Sequence, residues 1–277
     1  MKLNSIKPYK RVEAYVPRRV LPVAKSAYRT YMKVLCWYVG LQDHRYAKRT
    51  GFARLPPTSL RYRVHGSPSM DGFLRVGETC SENIKAALEK VGKDLDSFQN
   101  VLDFGCGCGR TLIWFADRSQ SARWYGTDID AEAISWCRNN LDFAEFGVND
   151  PLPPLGYASE TFDLIYAISV FTHLDEDYQF RWLDELERVT RPEGVVLLTV
   201  SGRRVWKHLP EEDVADIKKE GFKFTASNTA KGIFPEWYQN AYHTKEYVLD
   251  RYSKYFNVLD YVPRGMGNQD LVVLQKP

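Results

Sequence analysis

Apolar residues recur along this chain with two periods, and the switch from one to the other marks out its elements. Early on, Ala24, Ala27, Tyr28, Tyr31, Val34, Leu35 and Tyr38 fall at helical spacing, with Lys25, Arg29 and Lys33 between them. That pattern predicts an amphipathic helix, which can lie on a membrane surface or cover part of a main domain. Pro56-Pro57 and Gly66-Ser67-Pro68 then punctuate the chain, and a boundary is placed after residue 68. From about residue 78 helical and strand patterns alternate. Ile84, Ala87, Leu88 and Val91 form a helical stripe; Val101–Phe104 and Arg123–Thr127 read as strands. Asp130 is placed to cap a helix from Ala131 to Asn139, and Phe143–Val148 is a third strand-like run. Phe162–Ile168 is a buried-looking strand, Asp175–Thr190 is helical, and Val195–Val200 is the most apolar strand. Such alternation predicts a doubly wound α/β domain, a mostly parallel sheet with helices on both faces. Two late runs, Phe256–Tyr261 and Asp270–Leu274, have no helix between them and predict an antiparallel hairpin on the sheet edge. The stretch from about 202 to 250 is too long for an ordinary connection, and insertions of that size are usually functional or mobile.

Composition narrows the class. The chain has 277 residues, 44% hydrophobic and 26% charged, which excludes a disordered or low-complexity polymer. No run of apolar residues is long enough to span a membrane, and the N-terminus has no apolar stretch after its basic start, so a secretion signal is not expected. Five scattered cysteines without a Cys-x-x-Cys pair argue against a disulfide framework or a cysteine zinc site, and for free thiols in a reducing cytoplasm. Charge is segregated. Residues 1–65 hold 15 Lys/Arg against 2 Asp/Glu, whereas the remainder holds 23 against 33. A basic arm on an acidic body implies either an anionic partner or surface, a membrane included, or an arm folded back onto that body.

The chemistry concentrates after the first strand. In VLDFGCGCGR (Val101–Arg110) three glycines stand at 105, 107 and 109, where a chain must turn sharply and let a ligand approach. A dinucleotide fingerprint would need glycine at 110, where Arg110 stands, so a nicotinamide oxidoreductase is disfavoured. Asp103 is equally unsuited to a pyrophosphate; its carboxylate suits a ligand carrying an ammonium or sulfonium group. Asp128 ends the second strand, where an acidic side chain can accept hydrogen bonds from ribose hydroxyls. Asn149-Asp150 follows the third strand, where either side chain can meet an adenine edge while Ile129 stacks on the ring.

Together VLDFGCGCGR, YGTDID, NDPLPPLGYASETFDLIYAISVFTHL and ELERVTRPEGVVLLTV resemble the class I S-adenosylmethionine-dependent methyltransferases of the small-molecule type, well over residues 70–200 and loosely over 255–275. The resemblance implies a Rossmann-like seven-stranded sheet with an antiparallel last strand, and S-adenosyl-L-methionine as cofactor. It also implies that Gly105, Cys106 and Gly107 line the methionine part, Asp128 holds the ribose, Ile129 and Asn149 flank the adenine, and Ile168-Ser169 close the pocket.

Methyl transfer needs an acceptor positioned away from water, and a hydroxyl acceptor needs its proton removed. His173, just after the fourth strand, is the candidate general base or substrate positioner; the alternative is a histidine capping the helix that starts near Asp175. Ser169-Val170-Phe171-Thr172 stands where amino-directed nucleic-acid methylases carry Asn/Asp-Pro-Pro-aromatic, and the chain has no Pro-Cys pair for cytosine-carbon chemistry. Asp175 and Asp177 read as solvated helix-start carboxylates rather than metal ligands. Aromatic residues crowd the insertion, and Trp237, Tyr238 and His243 are the candidate substrate contacts, in a lid or in a small core of its own. The expected enzyme is a cytoplasmic methyltransferase, peripheral to the membrane if the arm binds one, acting on a small acceptor. Its preferred acceptor atom is an oxygen of a glycan, glycolipid precursor or secondary metabolite. Two rivals stand beside it: a nucleic-acid methylase using the basic arm, in which Tyr28, Tyr31 and Trp37 interleave with charge, and a cofactor-binding protein without catalysis.

Overall fold

A computed structural model describes residues 21–50, 55–118, 121–225 and 239–277. They belong to two compact units, one ending at Gly77 and the other starting at Glu78.

In the first unit the helix α1 (Leu21–Thr50) covers the stretch expected to be helical. It is followed by α2 (Thr58–His65), which stops at Gly66 in the left-handed conformation. Arg61 explains why a Pro-rich junction is ordered here. Its wholly buried guanidinium donates to the carbonyls of Pro56 (2.6 Å) and Pro68 (3.0 Å) and to Asp43 Oδ2 (2.7 Å). Of the apolar stripe read from the sequence, Tyr31, Val34 and Tyr38 are exposed, whereas Met32, off that stripe, is buried. The next helix, α3, spans Met70–Lys90.

The second unit is built on a seven-stranded sheet. Its strands are β1 (Asn100–Phe104), β2 (Arg123–Asp128), β3 (Ala144–Val148), β4 (Phe162–Ala167), β5 (Thr190–Val200), β8 (Asn257–Met266) and β9 (Gln269–Gln275). They lie in the order β3-β2-β1-β4-β5-β9-β8. The first five run parallel, while β9 is antiparallel to both of its neighbours. The expected hairpin is therefore present, with its second strand inserted beside β5 and its first at the edge. Order reverses between β1 and β4, the crevice where ligands of open α/β sheets bind.

Helix starts follow their caps. Asp130 accepts from the backbone N–H groups of Glu132 and Ala133 at the head of α4 (Ala131–Asn140). Asp175 accepts from Tyr178 N–H at the head of α5 (Glu176–Val189). That is the work of the carboxylate, so capping rather than metal ligation explains Asp175. The glycine loop leads into a 3₁₀ segment, Leu112–Arg118, not a full α-helix. Ile113, Trp114 and Phe115 are poor helix formers, and Phe115 is drawn into the core, where it stacks on Trp124. The main core lies between the sheet and α5 and includes Phe104, Ile165, Trp182, Leu186 and Val196.

The insertion has a structure of its own. After α6 (Arg203–Trp206) and α7 (Glu211–Glu220), the strands β6 (Phe222–Thr225) and β7 (Asn240–His243) pair antiparallel, and α8 (Lys245–Tyr252) returns to the sheet. The ribbon is fastened to the carboxyl edge of the sheet: Ala241 N–H donates to the Thr172 carbonyl (2.8 Å) and His243 N–H to the Ser201 carbonyl (3.0 Å).

Candidate functional site

Three contacts fold the glycine loop onto the end of β2. The N–H groups of Gly105 and Cys106 share the Thr127 carbonyl (2.8 and 3.0 Å), and Gly107 N–H donates to Asp128 Oδ2 (2.7 Å). Gly105 and Gly107 have φ of 80° and 55°, a region in which a side chain is strained. At Gly105 space forbids one as well, since a β-carbon would stand 2.3 Å from Val170 Cγ2. Beneath the loop, Cys106 and Cys137 both direct their thiols at the Gly107 carbonyl (3.6 Å each) and are buried.

Two carboxyl groups meet at this loop. Asp103 is in register with Gly126 on one side and Tyr166 on the other, and is only 3% exposed. Burial pushes its carboxyl up to about 8; nearby Asp128 adds to the rise, and Tyr166 and Arg110 oppose it. What Asp103 needs in order to ionise at neutral pH is more positive charge, which a cationic ligand brings. Asp128 is already engaged, with Oδ1 accepting from Asp130 N–H (2.8 Å) and Oδ2 from Gly107. Burial raises its carboxyl too, while those backbone donors pull it down. Both of its oxygens are thus held by backbone donors.

Asn149 N–H donates to the Asp128 carbonyl (3.2 Å), and its side-chain NH₂ to the Asp150 carbonyl (2.8 Å). Its Oδ1 is buried and has no partner among the described residues. An orphaned buried acceptor costs about 1–3 kcal/mol, and an exocyclic amine would satisfy it. Ile129, partly buried, stands between Asp128 and Asp130 in the chain. Each of these features fits a nucleoside with a cationic tail.

At the end of β4, Ile168 is nearly buried and Ser169 takes a left-handed conformation, φ 65°. Strain of this kind gathers at functional turns, and here it is held by neighbours. Ser169 N–H donates to Thr199 Oγ1 (2.7 Å), and its hydroxyl meets the side-chain amide of Gln269 at 2.9 Å from Nε2. The turn then brings Val170 over Gly105 and closes with His173 N–H on the Val170 carbonyl (2.9 Å).

His173 Nδ1 is hydrogen bonded to the Gln239 carbonyl. A carbonyl only accepts, so Nδ1 carries the proton in that bond and Nε2 keeps the lone pair, the tautomer a general base requires. Burial lowers the pKa of His173, which favours the neutral ring.

The insertion residues separate. Trp237 and Tyr238 lie outside the described residues. His243, expected to meet substrate, is wholly buried: its Nε2 donates to Gln179 Oε1 (3.0 Å), and burial lowers its pKa to about 3. It is an interior residue of the ribbon, packed among Phe222 and Tyr247, because the strand period of β7 turns it inward.

Hydrogen bonds thus unite Gly105, Cys106, Gly107, Asp128 and Asn149, Asp103 stands two residues before Gly105 on β1, and the turn with Ile168, Ser169 and His173 adjoins them through Val170. Sequence reading missed Gln179. It is 1% exposed, its NH₂ donates to the carbonyls of Phe171 (3.1 Å) and Leu174 (3.0 Å), and its Oε1 accepts from Tyr252 Oη (2.8 Å) as well as His243. It clamps the His173 turn from below. The signal was available: a polar residue at 179 falls on the same helical stripe as Leu183 and Leu186.

Residues 101–194 match the family described as a methyltransferase domain. Among curated relatives, Methyltransferase GfsG of Streptomyces halstedii is 30% identical over 164 residues, 56% of this chain and 53% of that one. The Fatty-acid O-methyltransferase of Mycolicibacterium smegmatis is 30% identical over 103 residues, 36% of each chain. The chain thus spans about half or less of the curated relatives it matches. Among solved structures, the PH0226 protein of Pyrococcus horikoshii has a TM-score of 0.52 at 19% identity, covering 72% of this chain and 91% of that one. The 1,6-didemethyltoxoflavin-N1-methyltransferase of Burkholderia thailandensis, solved with 1,6-didemethyltoxoflavin and S-adenosylhomocysteine, also scores 0.52, at 14% identity and coverages of 85% and 89%. At such identities the likeness establishes the fold.

Proposed function

We propose that the chain moves a methyl group from S-adenosyl-L-methionine to an oxygen of a small acceptor, from a glycan, a glycolipid precursor or a secondary metabolite; the match of residues 101–194 to the methyltransferase-domain family and the shared fold support this reading. The observation that carries the cofactor is the pairing of a buried, undercompensated Asp103 with a glycine loop stitched to Asp128. Asp103 would face the cationic tail, Asp128 the ribose and Asn149 Oδ1 the adenine amine, with Ile129 against the ring. When bound, the cofactor supplies a methyl already activated on a sulfonium for in-line displacement.

The remaining work belongs to the chain. Gly105 and Val170 set the floor of the niche, and Ser169 with Gln269 fixes the turn beside it. His173, held in the Nδ1–H tautomer, takes the acceptor hydroxyl proton at Nε2 as the carbon–oxygen bond forms. The β6-β7 ribbon, fastened to Thr172 and Ser201, walls the acceptor side and limits access of water. The names of the relatives support this reading, one acting on a fatty-acid oxygen. The test is transfer of a labelled methyl to a panel of hydroxylated sugars, lipids and phenols. Label on a hydroxyl, lost in His173→Ala with cofactor binding retained, supports the reading. Label only on nitrogen or carbon acceptors overturns it.

A further inference from the structure

The helix Leu21–Thr50 presents an apolar face that the described residues leave exposed. Val23, Tyr31, Val34, Trp37, Tyr38 and Leu41 are each between 55% and 67% exposed. With about 3.6 residues per turn, these six positions fall on one stripe, and Met32 lies on the opposite side, buried. Large apolar side chains in a continuous row are uncommon on a surface that meets only water.

The charge pattern says what meets this one. From Leu21 to Gln42 the helix has no acidic residue. Its single acid, Asp43, is taken up by the buried Arg61 at 2.7 Å. The same helix carries Lys25, Arg29, Lys33, Arg45, Lys48 and Arg49, within an arm of 15 Lys/Arg and 2 Asp/Glu. Three of the six exposed residues are Tyr or Trp, which favour the boundary between hydrocarbon and headgroup because one end is apolar and the other polar. No helix among the described residues is long and apolar enough to cross a membrane. An apolar stripe with aromatic anchors on a helix whose charges are basic except for the paired Asp43 has the chemistry of an element lying in the plane of an anionic lipid surface.

We propose that the face formed by Val23, Tyr31, Val34, Trp37, Tyr38 and Leu41 docks on an acidic phospholipid bilayer, with the basic residues of the arm engaging the headgroups. This holds whatever the methyl acceptor is.

Co-sedimentation of the full chain with phosphatidylcholine vesicles containing roughly one-third phosphatidylserine tests it, beside vesicles of phosphatidylcholine alone. The chain is expected to sediment with the acidic vesicles, less with the neutral ones, and progressively less as salt rises. Two double variants follow, Trp37→Glu with Leu41→Glu and the uncharged Val34→Ser with Trp37→Ser. Each should weaken lipid binding about tenfold or more while keeping the melting temperature and the affinity for S-adenosylhomocysteine. Absence of sedimentation at millimolar lipid overturns the proposal, as does full binding by the uncharged variant. A lipid-free dimer that the same variants dissociate also overturns it and assigns the face to a second copy of the chain.

Discussion

Val170 occupies the space that a side chain at Gly105 would need: its Cγ2 would lie 2.3 Å from a β-carbon built there. The glycine loop and the turn after β4 are thereby fitted to each other, and φ of 80° at Gly105 adds a second bar to substitution. Gly105→Ala must push Val170 and the His173 turn outward. It is expected to cost about 1–3 kcal/mol of stability and to weaken S-adenosylhomocysteine binding by roughly tenfold or more, measured by thermal unfolding and calorimetric titration. Wild-type affinity in this variant would separate the loop from the ligand.

Asp103 should trade stability for binding. Its carboxyl sits near 8 when folded and near 3.8 when exposed, so the unfolded chain ionises first as pH rises. Its contribution to stability is thus greatest below about 3.8 and is lost as pH climbs towards 8. Asp103→Asn should melt no lower than wild type at pH 8 while losing most of its affinity for the cationic ligand. In the wild type, binding at neutral pH should release a proton, and affinity should rise by up to about tenfold per pH unit until about 8. Titration in two buffers of different ionisation heat reads that proton directly.

His173 gives the pH dependence of turnover. Burial lowers its pKa below 6.5, so the neutral ring that accepts a proton is present at pH 7. The rate should climb with pH through a value below 6.5 and stay flat across neutrality. His173→Ala should lower kcat by about 10²–10⁴-fold with the affinity for S-adenosylhomocysteine unchanged. An unaltered acid limb in that variant would take the base role from His173.

Gln179 is the strut under that histidine. Gln179→Ala strands the Phe171 and Leu174 carbonyls, the Tyr252 hydroxyl and the His243 ring nitrogen. A loss of about 2–4 kcal/mol is expected, and kcat should fall although residue 179 touches no reacting atom. His243 adds an acid-linked cost. With its pKa at about 3 when folded against 6.5 when exposed, stability is lost as pH falls from 6.5 towards 3, and His243→Gln should flatten that slope.

Much of this was legible in the sequence because local chemistry and tertiary fold agree. Asp130 and Asp175 cap the helices their positions announce, and VLDFGCGCGR turns where its glycines stand. What the sequence left open or hid has physical causes. The stripe around Tyr31 and Val34 left a surface face and a covered face as alternatives, because helical period alone does not say which it is. His243 looked like a lid residue because aromatic density in a long insertion cannot show which way a short strand faces. Gln179 was overlooked because its place on the stripe of Leu183 and Leu186 marks it only as buried, while its worth comes from four partners, two of them, His243 and Tyr252, distant in sequence.

The central claim is that Asp103 and the Gly105–Asp128 loop form a niche for a cationic sulfur nucleoside. Calorimetric titration of the full chain with S-adenosyl-L-methionine, beside S-adenosylhomocysteine and NADH, tests it most directly. The account predicts saturable one-to-one binding of the nucleoside, weakened in Asp103→Asn, and none of NADH. No heat and no thermal shift at millimolar nucleoside, or an equal response to NADH, would contradict it.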